Sequence, residues 1–176
     1  GYTAASLLLD TPTTFPGGVG QPDYQPVNYD GKFRGPVQVR FTLGNSINMP
    51  AVKMLAQVGI RDMLATAFDL GIKTLEPTRE NLERFGLSLT LGGGEVRLLD
   101  ITGAYGAFAN SGARQDAVAI LRVEDDKGKV LEEYKPGRGR KVLREEEAFL
   151  ISDILSDNNA RAEVFGTRSA LVLPGR

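Results

Sequence analysis

Ser46-Ile47-Asn48 brings a hydroxyl and a carboxamide within two residues of each other. A hydroxyl can both give and take a proton, and an amide offers a donor and an acceptor at fixed spacing. The same spacing recurs at Ser156-Asp157-Asn158, where it falls at the end of a helical pattern and reads as capping and turn chemistry. Asn48 has a structural reading as well, as the cap of a helix opening at Met49-Pro50. Spacing alone does not choose among these readings. The surrounding chain has to.

Histidine and cysteine are both absent. That removes a Ser-His-Asp triad, a cysteine nucleophile and zinc sites built from either residue. General base work would fall to a lysine, a carboxylate or a tyrosine. Lys53 reads as a solvated helix residue, because a catalytic lysine there would need burial to lower its pKa. Gly92-Gly93-Gly94 satisfies no phosphate-binding pattern and reads as a tight turn before a helix. Asp23, Asp30, Asp125 and Asp126 lack the spacing of a calcium loop. No metal and no cofactor are expected.

The chain has 176 residues, 41% hydrophobic and 24% charged, enough for one core and one domain, or most of one. Its net charge of −1 and pI near 5.6 make no electrostatic case for nucleic acid, which needs concentrated positive charge. Arg138-Gly139-Arg140-Lys141 is the one tight basic cluster, and it reads as a solvated loop. Without cysteine the redox compartment stays open. No signal peptide is expected within these residues, and no apolar run comes near the roughly 18 residues of a membrane span. Any membrane anchor is expected outside this chain.

Six of the nine prolines lie at positions 12, 16, 22, 26, 36 and 50. With Gly17, Gly18, Gly20 and Gly31 they predict a long loop from Asp10 to Gly35. Residues 3–9 then look like the tail of an upstream element. Val37, Val39, Phe41 and Leu43 alternate as in a strand. Helices are predicted over 50–58 and 61–70, stopped by Gly59 and Gly71. A polar connector follows over 72–85, then a short apolar segment, Gly86 to Leu91. A helix is expected from about Val96 to Asn110, ended by Ser111-Gly112. Residues 118–134 read as a hairpin turning at Asp125-Asp126-Lys127-Gly128. Glu145-Glu146-Glu147 open a last helix through Leu155, where negative charge suits the N-terminal dipole.

Taken in order, Asn28-Tyr29-Asp30, Gly35-Pro36, Asn45 to Lys53, Leu89-Thr-Leu-Gly-Gly-Gly-Glu-Val96 and Ala104-Tyr-Gly-Ala-Phe-Ala-Asn110 resemble the transpeptidase domain of the class A penicillin-binding proteins. The resemblance runs along essentially the whole chain. That enzyme class works with Ser-x-x-Lys, Ser-x-Asn and Lys-Thr-Gly motifs. None of the seven serines is followed three positions later by lysine; Ser111 comes nearest, with Arg114. Lys73-Thr74 is followed by Leu75. Residues 1–176 are therefore expected to be part of a transpeptidase domain whose first and third motifs lie outside the chain.

The resemblance implies that Ser46 is catalytic, joining a proton relay, and that Asn48 binds the substrate's peptide backbone. It favours a helix leading into Ser46 over the strand suggested by alternation. It implies an α/β (α+β) serine DD-peptidase/β-lactamase-like fold, with this stretch mostly helical plus a β-hairpin and some exposed apolar surface. The parent protein would cross-link peptidoglycan peptide stems through an acyl-enzyme serine ester, would be acylated by β-lactams, and would sit at the extracytoplasmic face of the bacterial cell membrane. The isolated chain, lacking a nucleophile paired with a base, is expected to be inert. The rival is a non-catalytic scaffold or interaction module of the cell envelope.

Overall fold

The computed structural model describes residues 1–17 and 22–173, so Gly18 and Gly20 of the proline-rich loop lie outside the described residues. It is a mixed helix and strand structure, 41% helical. The first two strands, β1 (Leu7–Asp10) and β2 (Gly35–Gln38), pair antiparallel with Leu8 opposite Val37. Those two residues are buried, while Leu7 and Leu9 face outward, the alternation a half-buried strand demands. Residues 7–9, expected within the tail of an upstream element, instead form a strand with its own partner in β2. The loop between the strands is pinned midway by paired backbone bonds between Phe15 and Tyr24, both 2.9 Å.

The run 37–43 is divided between the two readings. Val37 completes β2, and α1 (Val39–Gly44) begins one residue after that strand ends. Gln38 gives no side-chain cap. Instead the Val39 and Arg40 N–H groups donate to Ser6 O and Ala4 O, both at 2.9 Å. The chain ahead of β1 thereby satisfies donors that a helix start leaves open.

Next come α2 (Asn48–Val58) and α3 (Ile60–Asp69), close to their predicted spans. Gly59 between them takes φ 88° and Gly71 takes φ 105°, left-handed conformations that glycine adopts without strain. The expected connector over 72–85 is more ordered than its polarity suggests. It holds a 3-10 turn at Lys73–Leu75 and a short helix α4 (Arg79–Arg84), capped by Thr78, whose hydroxyl accepts the Asn81 N–H at 3.2 Å. Leu75 and Phe85, at the two ends of this stretch, are buried and anchor it to the core.

A second 3-10 turn, Leu87–Leu91, packs against α2, and α5 (Leu98–Ala109) follows. Strands β3 (Ala113–Arg114) and β6 (Arg140–Lys141) pair with each other, and between them β4 (Arg122–Glu124) and β5 (Val130–Glu133) form the expected hairpin. The basic cluster is therefore only partly a free loop. Arg140 bridges to Asp69 at 3.1 Å, and Lys141 donates to Ser111 O at 2.7 Å. Helix α6 (Glu145–Ser156) packs on α5, and a short α7 (Ala162–Phe165) ends the described elements.

One apolar cluster holds the helical part together. It includes Leu55, Leu64, Leu75, Phe85, Leu89 and Ala107, drawn from α2, α3, α5, both 3-10 turns and the residue that follows α4. Apolar surface remains open elsewhere: Leu98, Leu99 and Tyr105 on α5, Leu121 just before β4 and Leu131 within β5 are exposed. No helix among the described residues is long and apolar enough to cross a membrane.

Candidate active-site ridge at Ser46 and Asn48

Ser46 closes α1 in a backbone conformation that serines seldom adopt. Its φ is 56°, the left-handed region where a Cβ costs about 1–2 kcal/mol. Two bonds define the turn: Ser46 N–H donates to Leu43 O at 3.3 Å, and Ile47 N–H to Thr42 O at 3.0 Å. This pair of bonds makes a Schellman motif, whose left-handed position is usually glycine. The chain reverses here, Ile47 plunges into the interior, and Ser46 is left exposed. Strain of this kind persists only where the surroundings over-determine it.

Asn45, fully buried just before it, supplies that determination. Its Nδ2 donates to Phe41 O at 3.1 Å and to Ala160 O at 2.6 Å, while its Oδ1 accepts the Val164 N–H at 3.0 Å. The end of α1 is thereby stitched to the segment that enters α7. A second stitch is Arg40, whose guanidinium pairs with Asp153 and, at 2.9 Å, with Asp157. These carboxylates raise the Arg40 pKa above its usual value. Asp157 also accepts the Asn159 and Ala160 N–H groups, both at 3.0 Å. Ser156-Asp157-Asn158 accordingly serves as helix-end structure, as its position implied.

Asn48 lies inside the first turn of α2 and does not cap it. Its Nδ2 instead donates to Val27 O at 2.9 Å, fixing the plane of the amide against the proline-rich loop. The cap comes from Asn28, whose Oδ1 accepts the Met49 N–H at 3.0 Å. Pro50, with no N–H to satisfy, is tolerated in this first turn. Asn28 Nδ2 donates to Asp10 Oδ1 and to Lys32 O, both at 2.7 Å. Asp10, wholly buried, also accepts the Arg34 N–H at 3.0 Å. Neither role is visible in the sequence, because Asn28 and Asn45 both bond to residues far along the chain.

Lys53 is a correction. It is partly buried rather than solvated, and its Nζ donates to Leu9 O at 2.8 Å, Thr11 O at 3.2 Å and Thr11 Oγ1 at 2.9 Å. The ammonium thus fastens α2 to the end of β1. Gly92-Gly93-Gly94 behaves as the turn it was expected to be. Gly92 is left-handed at φ 93°, and a Cβ on Gly93 would stand 2.9 Å from Ser88 O.

Ser46 and Asn48 form a ridge between two depressions. On one side is a largely apolar groove of about 780 Å³, lined by Leu43, Met54, Met63 and Tyr105 among others. Thr42 also lines it, with a buried hydroxyl that finds no hydrogen-bond partner among the described residues. On the other side is a depression of about 440 Å³, bounded by Asn28, Tyr29, Asp30, Val164 and Phe165. Arg34 sits behind this second depression. It binds Asp30 and Glu163, each at 2.7 Å, and these contacts raise its pKa. In return, the Arg34 side-chain bond, then the Lys32 N–H, hold the Asp30 carboxyl below its usual range.

A hydroxyl held out over a groove, beside an amide of fixed orientation, can accept and pass a proton while a ligand is hydrogen-bonded next to it. No family model matches the chain. The architecture itself is that of penicillin-binding transpeptidase domains. The solved structure of PonA1 from Mycobacterium tuberculosis covers 100% of this chain with a TM-score of 0.82 at 18% identity, over 46% of that chain. By sequence, the chain is 33% identical to penicillin-binding protein 1A of Pseudomonas aeruginosa over 138 residues, 78% of this chain and 16% of that protein. It is 39% identical to penicillin-binding protein 1A of Aquifex aeolicus over 114 residues, 65% of this chain and 15% of that protein. The chain belongs to the class A penicillin-binding proteins, and it spans only 15–18% of the length of the curated relatives it matches.

Proposed function

We propose that this chain is part of a peptidoglycan D,D-transpeptidase in which Ser46 relays a proton and Asn48 orients the substrate. The Ser-x-x-Lys and Lys-Thr-Gly motifs are supplied by sequence outside residues 1–176. In the reaction, a serine of the first motif attacks the carbonyl of a D-Ala-D-Ala terminus. Its proton passes through the relay to the departing D-alanine amine, leaving an ester. An amine of a neighbouring stem then attacks that ester, loses its proton through the same groups, and forms the cross-link as the serine is restored. β-Lactams acylate the same serine by opening their ring. The related PonA1 has been solved in complex with penicillin V, which supports this ligand class. The location we infer is the extracytoplasmic face of the bacterial cell membrane, with any anchor outside the chain.

One observation carries the role of Ser46: its hydroxyl stands exposed on the turn beside the Asn48 amide, over the groove. The left-handed φ of 56° is not by itself the signal, since Ser111 shares it at φ 49°. Intact-protein mass after incubation with a penicillin tests the reading, on this chain and on the protein extended at both ends along its own gene. An adduct is expected only on the extended protein, formed more slowly in Ser46→Ala. An adduct on residues 1–176 alone would overturn the placement of the nucleophile. No adduct on the extended protein would favour a non-catalytic scaffold of the cell envelope.

A further inference from the structure

Every residue of β4 and β5 is exposed, and among the described residues neither strand has a neighbour besides the other. Each therefore presents one edge of unpaired backbone groups that a further strand can extend. The two edges are not equivalent. Val123 stands opposite Glu132 and Glu124 opposite Val130, which leaves Leu131 as an extra residue in β5. A bulge of this kind bends and twists the strand that carries it and so spoils its edge for pairing. Glu132 and Glu133 add two like charges there. β4 has neither a bulge nor a proline, and its two charges, Arg122 and Glu124, are opposite in sign.

One bond fixes which groups of β4 face outward. Tyr134 N–H donates to Leu121 O at 2.8 Å, so Leu121 and Val123 aim their backbone groups at β5, and those of Arg122 and Glu124 face away from it. The side chains of Arg122 and Glu124 share one face of the hairpin, where they form an ion pair. A second copy of β4, antiparallel and related by a two-fold axis, bonds to this edge in one of three neighbouring registers. Centring on Arg122 sets arginine against arginine, and centring on Glu124 sets glutamate against glutamate. Centring on Val123 sets Arg122 opposite Glu124 of the second copy, twice by symmetry, and opposite charges across a strand pair attract where like charges repel. Val123 then meets its own counterpart at a non-hydrogen-bonded position, where side chains approach most closely.

We propose that the β4 edge is a self-association site, at which two copies of this chain join their hairpins into a four-stranded antiparallel sheet centred on Val123. Both open edges are consumed in the union. Only the bulged β5 edges remain outside, so assembly stops at a dimer. The inference is independent of the transpeptidase reading, because it uses neither Ser46 nor Asn48.

The chain contains no cysteine, so a single introduced thiol reports on one contact. In the proposed register the two Val123 Cα atoms lie about 4.5 Å apart, within the roughly 4.4–6.8 Å that a disulfide spans. Val123→Cys is expected to give a covalent dimer under mild oxidation about tenfold faster than Leu131→Cys on the bulged strand. The unsubstituted chain should sediment as a dimer that dissociates on dilution. Arg122→Pro removes an outward N–H and leaves the bonds to β5 intact, so it should raise the dimer Kd about tenfold. Protection of the Tyr134 amide from exchange shows that the hairpin persists in that variant; if it is lost, the cross-linking result decides. A chain monomeric at every concentration reached overturns the proposal, as does Val123→Cys cross-linking no faster than Leu131→Cys. A dimer that Arg122→Pro leaves undiminished also overturns it, and moves the contact to the apolar groove beside Ser46.

Discussion

The Oδ1 atom of Asn28 accepts the Met49 N–H at 3.0 Å, so α2 is capped by a residue 21 positions upstream. The same side chain satisfies the buried Asp10 carboxylate at 2.7 Å. One carboxamide therefore holds the start of the helix that carries Asn48, the end of β1 and the Lys32 carbonyl of the proline-rich loop.

Asn28→Ala removes a helix cap and strips a buried carboxylate of a donor. Together these should cost about 3 kcal/mol of stability, read from urea denaturation of the chain. Asn28→Asp keeps an acceptor for Met49 but sets a second carboxylate against Asp10. It should destabilise the chain through the repulsion of like charges. Equal stability of Asn28→Ala and the unsubstituted chain would mean that the cap contributes nothing.

Ser46→Gly should stabilise the chain by about 1 kcal/mol, because glycine adopts φ near 56° without the Cβ penalty. Ser46→Ala should give no such gain. Both lack the hydroxyl, so both should slow acylation of the extended protein by a similar factor. Thermal melts and acylation rates on the two variants separate strain from chemistry. A Ser46→Gly chain less stable than Ser46→Ala would refute the strain argument.

The helices that frame the ridge were legible because each has a strong local signature. Gly59 and Gly71 mark the ends of α2 and α3, and Glu145-Glu146-Glu147 mark the start of α6. The division of residues 37–43 into strand and helix was not legible. It is decided by Leu8 opposite Val37, and by Ser6 O and Ala4 O taking the first helical donors. The roles of Asn28, Asn45 and Lys53 were not legible for a related reason, since each bonds to backbone or side chains far along the chain, and isolated polar residues leave no periodic trace. Ser46 gave no turn signal because its left-handed position lacks the glycine that would announce it.

Three carboxylates are held below their ordinary range and so contribute to stability above the acid range. Asp157 is held below its ordinary range chiefly by the Ala160 N–H, with Arg40 adding to it. Glu147 is lowered by the Arg144 side chain and N–H, and Asp30 by Arg34 and the Lys32 N–H. A group whose folded pKa is depressed contributes stability above its unfolded pKa and loses it as the pH drops through the folded value. Their ordinary values are 3.8 for aspartate and 4.5 for glutamate. Stability should therefore hold level from neutrality down to about pH 5 and decline below about pH 4. Asp157→Asn should flatten that decline and lower the neutral plateau. A pH titration of the melting temperature checks both, and an unchanged acid slope in Asp157→Asn would remove Asp157 from the account.

Lys53 connects α2 to the end of β1 through Leu9 O, Thr11 O and Thr11 Oγ1. Lys53→Met keeps most of the apolar stem of the side chain and removes the donors with their charge. It should cost about 2 kcal/mol, because hydrogen bonds from a charged donor exceed neutral ones and the abandoned carbonyls are partly shielded from water. The loss should be local as well as global. Amide exchange at residues 9–11, where β1 hands over to the loop, should quicken more than exchange in the middle of α2, whose own ladder is untouched. Uniform acceleration along both segments would show Lys53 acting only on global stability. No change in either would show that the ammonium is interchangeable with a methyl group there, and that β1 is held in place by its pairing with β2 alone.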